Sequence, residues 1–543
     1  MRLAHPYAVR PRHALVWIVI GWSMALGALV YAPLVKAAQA RAWCVARTMV
    51  ETGDFAVPRY NGEVRLKKPP LASWVQAGAM EAIGSTDRRV AGFASWFVGL
   101  LFALGPFLLG VALRRPYAGF LGSVLLVTSR SAAIFGASPE HDVPFAGTIA
   151  VSLAFLARAT GVGGRWRTAL LAGLACGAAV LVKGPFALAF VLGTALVVGG
   201  ARRARPGELS RTTLWAALIG GSLLPAALWL GVLFARLGGV SPVFDEMRRQ
   251  ALGEAGAHLK SGLANALYYV GMIPKWSMPW TVVLVPMIAM TLWRRRRGER
   301  APSALPSFAI RSFLVTVLVL TVVPAKQEHY LLPALPAAFL IGAVALENAM
   351  RQRIRLARAI PVALAALAVA FAVERAGPAI RAGMWSSVPW WRIAALLGVG
   401  ALPFLAGGRR ARLRLLFVPI AMFAAFTASS GDAFRNRETD DVEISTQKLS
   451  DRVRADRPVI GYAAGVGEAF DTTAAYLHRV VTRVATIEAL AARMDEAVGA
   501  TVLVERPEDP ALEPLRRRLE RVGEISPVRP AEKDRILVYR VAR

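Results

Sequence analysis

A few short polar stretches hold the residues able to do chemistry. Lys67 and Lys68 stand directly before Pro69-Pro70. A residue before proline is held extended, which suits an ammonium that must point at a fixed anion such as a phosphate. Arg65 lies just upstream. Glu140-His141-Asp142 offers two carboxylates and an imidazole, the groups used for general acid–base work. Lys183 precedes Gly184-Pro185, and the link around Lys326, Glu328, His329 and Tyr330 packs three ionisable groups beside a phenol. Each stretch has a plainer alternative. Lys67 and Lys68 would also mark a membrane edge. Lys183 would also cap the end of a helix, and the acids at 140 and 142 would cap the start of one. His258 reads as an ordinary loop histidine. No phosphate-binding glycine loop, HExxH pair or zinc spacing is present.

The elements that must position these residues are membrane spans. The chain has 543 residues, 55% of them hydrophobic, with a mean hydropathy of +0.46. Apolar runs of about 20 residues recur along it, each long enough to cross a bilayer. They predict spans near 14–34, 90–113, 118–135, 142–157, up to 182, 186–198, 214–235, up to 294, 313–323, up to 349, up to 374, 393–406 and 416–428. Arginine clusters at 114–115, 158–167, 202–211, 294–300, 351–358 and 409–414 then all fall on one side. By the positive-inside rule that side is cytoplasmic, which supports about 13 spans with the N-terminus inside and the C-terminus outside. The net charge of +30 is therefore spread over cytoplasmic turns, which argues against a nucleic-acid partner. Cys44 and Cys176 are too few and too separated for a disulfide framework.

With this topology, Arg65, Lys68, Glu140, Asp142, Lys183, Lys326, His329 and Tyr330 share the external face. Polar groups within a span are costly and gather at a cavity or an interface. Cations, carboxylates, imidazole and phenol at one interface suit a substrate with an anionic head and an apolar tail, such as a lipid-linked phosphate. The turn-rich stretch 49–74 is the external loop, flanked by surface helices at 37–50 and 72–83. After residue 430 the spans stop. Short strands at 459–462, 480–484, 501–505 and 536–540 alternate with helical patterns at 472–478, 487–497 and 510–522, predicting a small α/β domain. The division expected is 1–430, with an external loop at 35–88, and 431–543.

Several of these stretches together resemble family 39 glycosyltransferases, which include the aminoarabinose and protein O-mannosyl transferases. Thr52-Gly53-Asp54-Phe55, Val57-Pro58-Arg59, Asn61-Gly62-Glu63 and Lys68-Pro69-Pro70-Leu71 are similar to that family's first external loop. Glu140-x-Asp142-x-Pro144, Lys183-Gly184-Pro185 and His329-Tyr330-x-Leu332-Pro333 continue the likeness in order. The resemblance implies a polytopic α-helical GT-C fold with a trailing extracytoplasmic α/β domain. It implies transfer of a sugar from a polyprenyl-phosphate donor to a lipid, glycan or protein acceptor, at the outer face of a bacterial inner membrane.

Position by position, the resemblance makes Lys68 a contact of the donor phosphate, puts Asp142 at the reacting centre and lines the donor cavity with Tyr330. Asp142 and Glu140 are then the candidate catalytic carboxylates, and Arg65, Lys68, Lys183, Lys326, His329 and Tyr330 the candidate substrate contacts. No metal ligands are assigned, and a divalent metal is left open. The sequence departs from the family at two places: Lys67 stands where many members have Glu or Gln, and the second departure matters more. An acid is expected before the first surface helix, yet residues 1–50 contain no Asp or Glu and the first is Glu51. Asp142 or Asp54 would have to replace it, or the acceptor arrives deprotonated, or the chain is a catalytically impaired relative that binds a lipid-linked sugar or scaffolds an envelope complex. A transporter fits less well, because paired half-sequences are missing.

Overall fold

The computed structural model describes residues 11–26, 37–136, 138–199, 209–252, 262–278, 280–298, 304–323 and 326–351, and in the C-terminal part 453, 456–462, 477, 481–484, 486–504, 510–525 and 536–542. Spans expected up to 374, at 393–406 and at 416–428, the helix expected at 472–478, and His258 lie outside the described residues. The chain divides into two units. One comprises Met1–Val30, Leu66–Ala72 and Ser95–Ser429; the other comprises Tyr31–Arg65, Ser73–Ala94 and Ser430–Arg543.

The first unit is a helical bundle. Its described helices are α1 (Pro11–Leu26), then, after two helices of the second unit's segments, α2 (Ala37–Thr52) and α3 (Leu71–Ile83), the long α4 (Arg88–Ala112), α5 (Pro116–Val127), α6 (Arg130–Phe135), α7 (Asp142–Ala159), α8 (Trp166–Lys183), α9 (Phe186–Gly199), α10 (Arg211–Arg236), α11 (Val240–Leu252), α12 (Gly262–Ser277), α13 (Thr281–Arg296), α14 (Ser307–Val322) and α15 (Leu335–Arg351). A tight 3-10 turn, Glu328–Ala334, leads directly into α15. Among the described residues five helical stretches are long and apolar enough to cross a membrane: Arg88–Ala112, Asp142–Ala159, Trp166–Lys183, Arg211–Arg236 and Glu328–Ala349. Four shorter apolar helices accompany them.

The span expected at 118–135 is broken into α5 and α6. The break falls at Thr128-Ser129, whose hydroxyls donate back to the Val124 and Leu126 carbonyls at 2.7 Å each. Such side chains offer the backbone an alternative to the helix ladder.

Helices α7, α8 and α10 form the tightest part of the bundle. Ser152 donates to the Ala172 carbonyl at 2.7 Å, tying α7 to α8. Where α8 crosses α10, a Cβ added at Gly177 would lie 2.7 Å from Pro225, and one at Gly221 would lie 2.8 Å from the Leu170 carbonyl. Small residues of this kind let helices approach closely in a bilayer, where packing rather than water drives association.

The second unit joins the external loop to a mixed five-stranded sheet. The loop carries a hairpin, β1 (Arg59–Tyr60) and β2 (Glu63–Val64). Its turn is Asn61-Gly62, both with positive φ (54° and 84°), as a two-residue hairpin turn requires. The sheet contains β3 (Val459–Tyr462), β4 (Val481–Val484), β5 (Thr501–Val504), β6 (Leu519–Ile525) and β7 (Ile536–Val541) in the order β4-β3-β5-β7-β6. β3 runs parallel to β4 and β5, and β7 runs antiparallel to β5 and β6.

Alternation sorts the sheet's side chains into two cores. Val459, Val481, Leu503, Ile536 and Val538 pack with Trp43 and Met49 of α2 and Met80 of α3. Ile460, Tyr462, Val502 and Val504 pack with Leu490 and Met494 of α16 (Ile487–Glu496). The Asn61 side chain closes the exposed side of β4. Its Oδ1 accepts from the Val481 N–H at 2.6 Å, while its Nδ2 donates to the Val481 carbonyl. The segment expected to be helical over 510–522 is a 3-10 stretch, Pro510–Arg518, followed by strand β6.

Candidate functional site

Helix lengths bring the site together. α7 and α8 have 18 residues each and are joined by a short turn at 160–165. At 1.5 Å per residue both are roughly 27 Å long, so the first residue of α7 and the last of α8 meet at one end. These are Asp142 and Lys183. They form an ion pair whose side chains are only 9% and 12% exposed. Gly184, with φ of +95°, lets the chain leave α8 sharply. Lys183 is therefore turned onto a neighbouring helix and does not simply cap its own. No side-chain cap hydrogen bond is made at the start of α7 either, where His141 is the flanking residue.

The 3-10 turn at Glu328–Ala334 delivers the next two groups to the same place. His329 Nε2 lies 3.6 Å from Asp142 Oδ1. The Lys183 ammonium sits over the Tyr330 ring at 4.3 Å from its centroid and 5.9 Å from that of Phe145. The His329 and Tyr330 rings meet edge to face at 4.9 Å. Lys68, half-buried before its proline pair, is close enough to act electrostatically on the Asp142 carboxylate. Asp142 thus faces two lysines and a histidine, and Glu140, also buried at 6% exposure, lies two residues before it. Two lysines and a histidine converge on one buried carboxylate in a place with little water. Such a place attracts an anion.

The other expected residues have different surroundings. Lys326 donates to the carbonyls of Leu320 at 2.6 Å, Thr321 at 2.8 Å and Val323, closing the C-terminal end of α14. Burial pushes its amine below the usual lysine range. Arg65 belongs to the other unit, where its guanidinium lies over the Tyr60 ring at 5.8 Å. Asp54 Oδ1 accepts from the Ala56 and Val57 N–H groups at 3.2 and 3.3 Å, so that carboxylate organises its own turn. Glu51 pairs with Arg47 one helical turn away, at 3.4 Å.

Sequence reasoning missed a second group beside the first. Lys275 of α12 holds Glu328 through both carboxylate oxygens, at 2.6 and 2.7 Å. This pair fixes the residue just before His329. Trp276 lies beneath both Lys275 (5.3 Å) and Arg130 of α6 (5.8 Å). Phe135 bridges the two groups, 5.0 Å from Trp276 and 6.3 Å from His329 between ring centroids. The available signal was Lys275-Trp276 just after Pro274, a cation and an aromatic at a helix end. Among the described residues no three His, Cys, Asp or Glu side chains gather as a metal site.

Comparison with known proteins finds a family match over part of the chain and a shared fold. Residues 67–229 match the model of the dolichyl-phosphate-mannose-protein mannosyltransferase family, a stretch that includes Lys68, Glu140, Asp142 and Lys183. The fold is that of ArnT from Cupriavidus metallidurans. The structure bound to undecaprenyl phosphate superposes with a TM-score of 0.70 at 16% identity, covering 97% of each chain. The apo structure gives 0.72 at 17% identity, covering 97% of this chain and 98% of that one. An uncharacterized protein from Aquifex aeolicus is 25% identical over 314 residues, 57% of this chain; the match spans 59% of that relative's length.

Proposed function

We propose that this chain, which matches a mannosyltransferase family model over residues 67–229 and has the fold of ArnT, moves a sugar from a polyprenyl-phosphate carrier to a cell-envelope acceptor at the outer face of the inner membrane. The observation that carries this reading is the crowding of Lys68, Lys183 and His329 around Asp142. In the reaction, an acceptor oxygen bonds to the anomeric carbon. The bond from that carbon to the phosphate oxygen breaks, and the carrier phosphate leaves with the electron pair. Charge builds on the phosphate as it leaves, so lysines already fixed at its position stabilise the transition state more than the ground state. Lys68 and Lys183 fill this role, and Tyr330 holds Lys183 through its ring face. Lys275 and Lys326 act through position: one fixes the turn bearing His329 and the other fixes the end of α14.

The acceptor's proton must go to a base. Asp142 is the carboxylate at the centre of the cluster, and a positioned base contributes about 10²–10⁴-fold. Asp142 is paired with Lys183, and a donor phosphate that draws Lys183 away frees the carboxylate to take the proton. A second reading has its own support. No acid precedes residue 51, and Asp54 and Glu51 are both engaged elsewhere. On that reading the chain binds the lipid-linked sugar without efficient transfer.

Transfer of label from a polyprenyl-phosphate sugar pool, measured in membranes, separates the two. The first reading expects activity in wild type that is lost in Lys68→Ala and Asp142→Asn. The second expects little activity in wild type and a gain in Ala38→Asp, at an exposed position in the first turn of α2. Activity that survives both Lys68→Ala and Asp142→Asn contradicts the site as drawn.

A further inference from the structure

Three lysines near the site have carboxylate or carbonyl partners. Lys183 faces Asp142, Lys275 faces Glu328, and Lys326 faces three carbonyls. Arg130 has no such partner among the described residues. It is half-buried, its Nε is buried without an acceptor, and its guanidinium rests on the Trp276 ring. The indole Nε1 of Trp276 is also buried without an acceptor. Four other tryptophans find one. Trp22 donates to the Trp96 carbonyl at 2.9 Å, Trp43 to the Thr86 carbonyl at 2.8 Å, Trp74 to the Phe55 carbonyl at 2.7 Å and Trp280 to the Thr128 hydroxyl at 2.9 Å.

A guanidinium with its Nε buried and a buried indole N–H, neither matched among the described residues, are costly at one contact. Such a pair is an incomplete recognition element that a ligand with acceptor oxygens would complete. An anionic ligand suits it best, because no carboxylate opposes the guanidinium among the described residues, and a planar guanidinium suits phosphate or carboxylate.

We propose that Arg130, with the Trp276 indole N–H, recognises an anionic group on the acceptor, either a phosphate monoester or a carboxylate. This rests on the transferase reading above. The donor's phosphate already has Lys68, Lys183 and His329. The Phe135 ring stands between the two places, in contact with His329 on one side and Trp276 on the other. Two anions can therefore be held at once, one leaving and one bringing the nucleophile. No bond changes at Arg130; it is a positioning residue that selects charged acceptors.

The test uses the full chain in neutral-lipid nanodiscs. Undecaprenyl phosphate is titrated first. Short-chain phosphatidic acid, inorganic phosphate and phosphatidylcholine are then titrated with the first ligand saturating. Expected is phosphatidic acid binding that weakens at least tenfold in Arg130→Gln, is partly kept in Arg130→Lys and is unchanged in Lys68→Ala. Undecaprenyl phosphate binding should be untouched by Arg130→Gln. Inorganic phosphate that binds with the same dependence on Arg130 supports a site for the free anion; binding of phosphatidic acid alone supports a lipid headgroup.

Trp276→Phe keeps the ring, removes the N–H and should weaken the same binding severalfold, which covers an Arg130→Gln variant that fails to fold. Equal weakening of undecaprenyl phosphate by Arg130→Gln would make Arg130 part of the donor site and overturn the proposal. Anion binding indifferent to both Arg130 and Trp276 would also overturn it. Failure of wild type to bind undecaprenyl phosphate at all would instead remove the donor reading, while the response of phosphatidic acid to Arg130 would still be read.

Discussion

Asp142 and Lys183 are each other's main electrostatic partner, and their substitutions should show it. Removing one member of a buried pair strands the other charge, typically at a cost of about 3–5 kcal/mol. Asp142→Asn should therefore lower the melting temperature as well as activity. Asp142→Asn combined with Lys183→Met should recover much of the stability and none of the transfer, as read by thermal melting and labelled-sugar transfer on the same samples. Full recovery of transfer in the double variant would mean that the pair is structural only. Legibility at this scale was uneven. Lys68, Asp142, Lys183, His329 and Tyr330 stood in short motifs, and the fold gathers them. Lys326 stood beside them in sequence, yet its ammonium turns back onto α14, because a lysine a few residues past a helix end can reach carbonyls that have no intrahelical donor. Arg130 and Lys275 carried no motif, since what marks them is a contact through Trp276 between helices far apart in sequence.

Elements explain why the site is held firmly. The equal lengths of α7 and α8 bring Asp142 to Lys183, and close approach to α10 braces α8. A leucine at Gly221 would force its side chain into the α8 backbone. Overpacking of this kind costs about 1–3 kcal/mol, so Gly221→Leu should reduce stability and transfer together while Gly220→Leu, with nothing near its Cβ, should leave both close to wild type. In the second unit, Asn61→Gly keeps the positive φ of the turn but removes the amide that matches Val481. Faster hydrogen exchange at the Val481 amide is expected, and unchanged exchange would mean that the clasp is not formed in solution. Helix positions were readable from apolar runs and arginine clusters. Strand β6 was not: Leu519, Val522 and Ile525 are spaced by three, which imitates a helix. The structure shows the reason, a register shift between Arg521 and Gly523 against β7, where a bulge interrupts the alternation that marks a strand.

At the scale of the molecule, the account needs the α/β part on one side of the membrane and the arginine turns on the other. Both native cysteines, Cys44 and Cys176, are buried, so an added surface cysteine reports its side with little background. Glu496→Cys, exposed in α16, should react with an impermeant maleimide in intact spheroplasts, whereas Arg297→Cys, exposed after α13, should react only once the membrane is opened. The reverse pattern would turn the site to the cytoplasm and end the reading of an outer-face enzyme. The central claim is that a lipid-linked phosphate is held by Lys68 and Lys183 beside Asp142, and it holds for an active transferase and an impaired one alike. The most direct measurement is binding of undecaprenyl phosphate, set against undecaprenol, to the full-length protein in nanodiscs. The account predicts that the phosphate binds, that the alcohol binds far more weakly, and that Lys68→Ala weakens the phosphate by tenfold or more, about 1.4 kcal/mol or above. Equal binding of phosphate and alcohol, or a Lys68→Ala variant that binds like wild type, would contradict it.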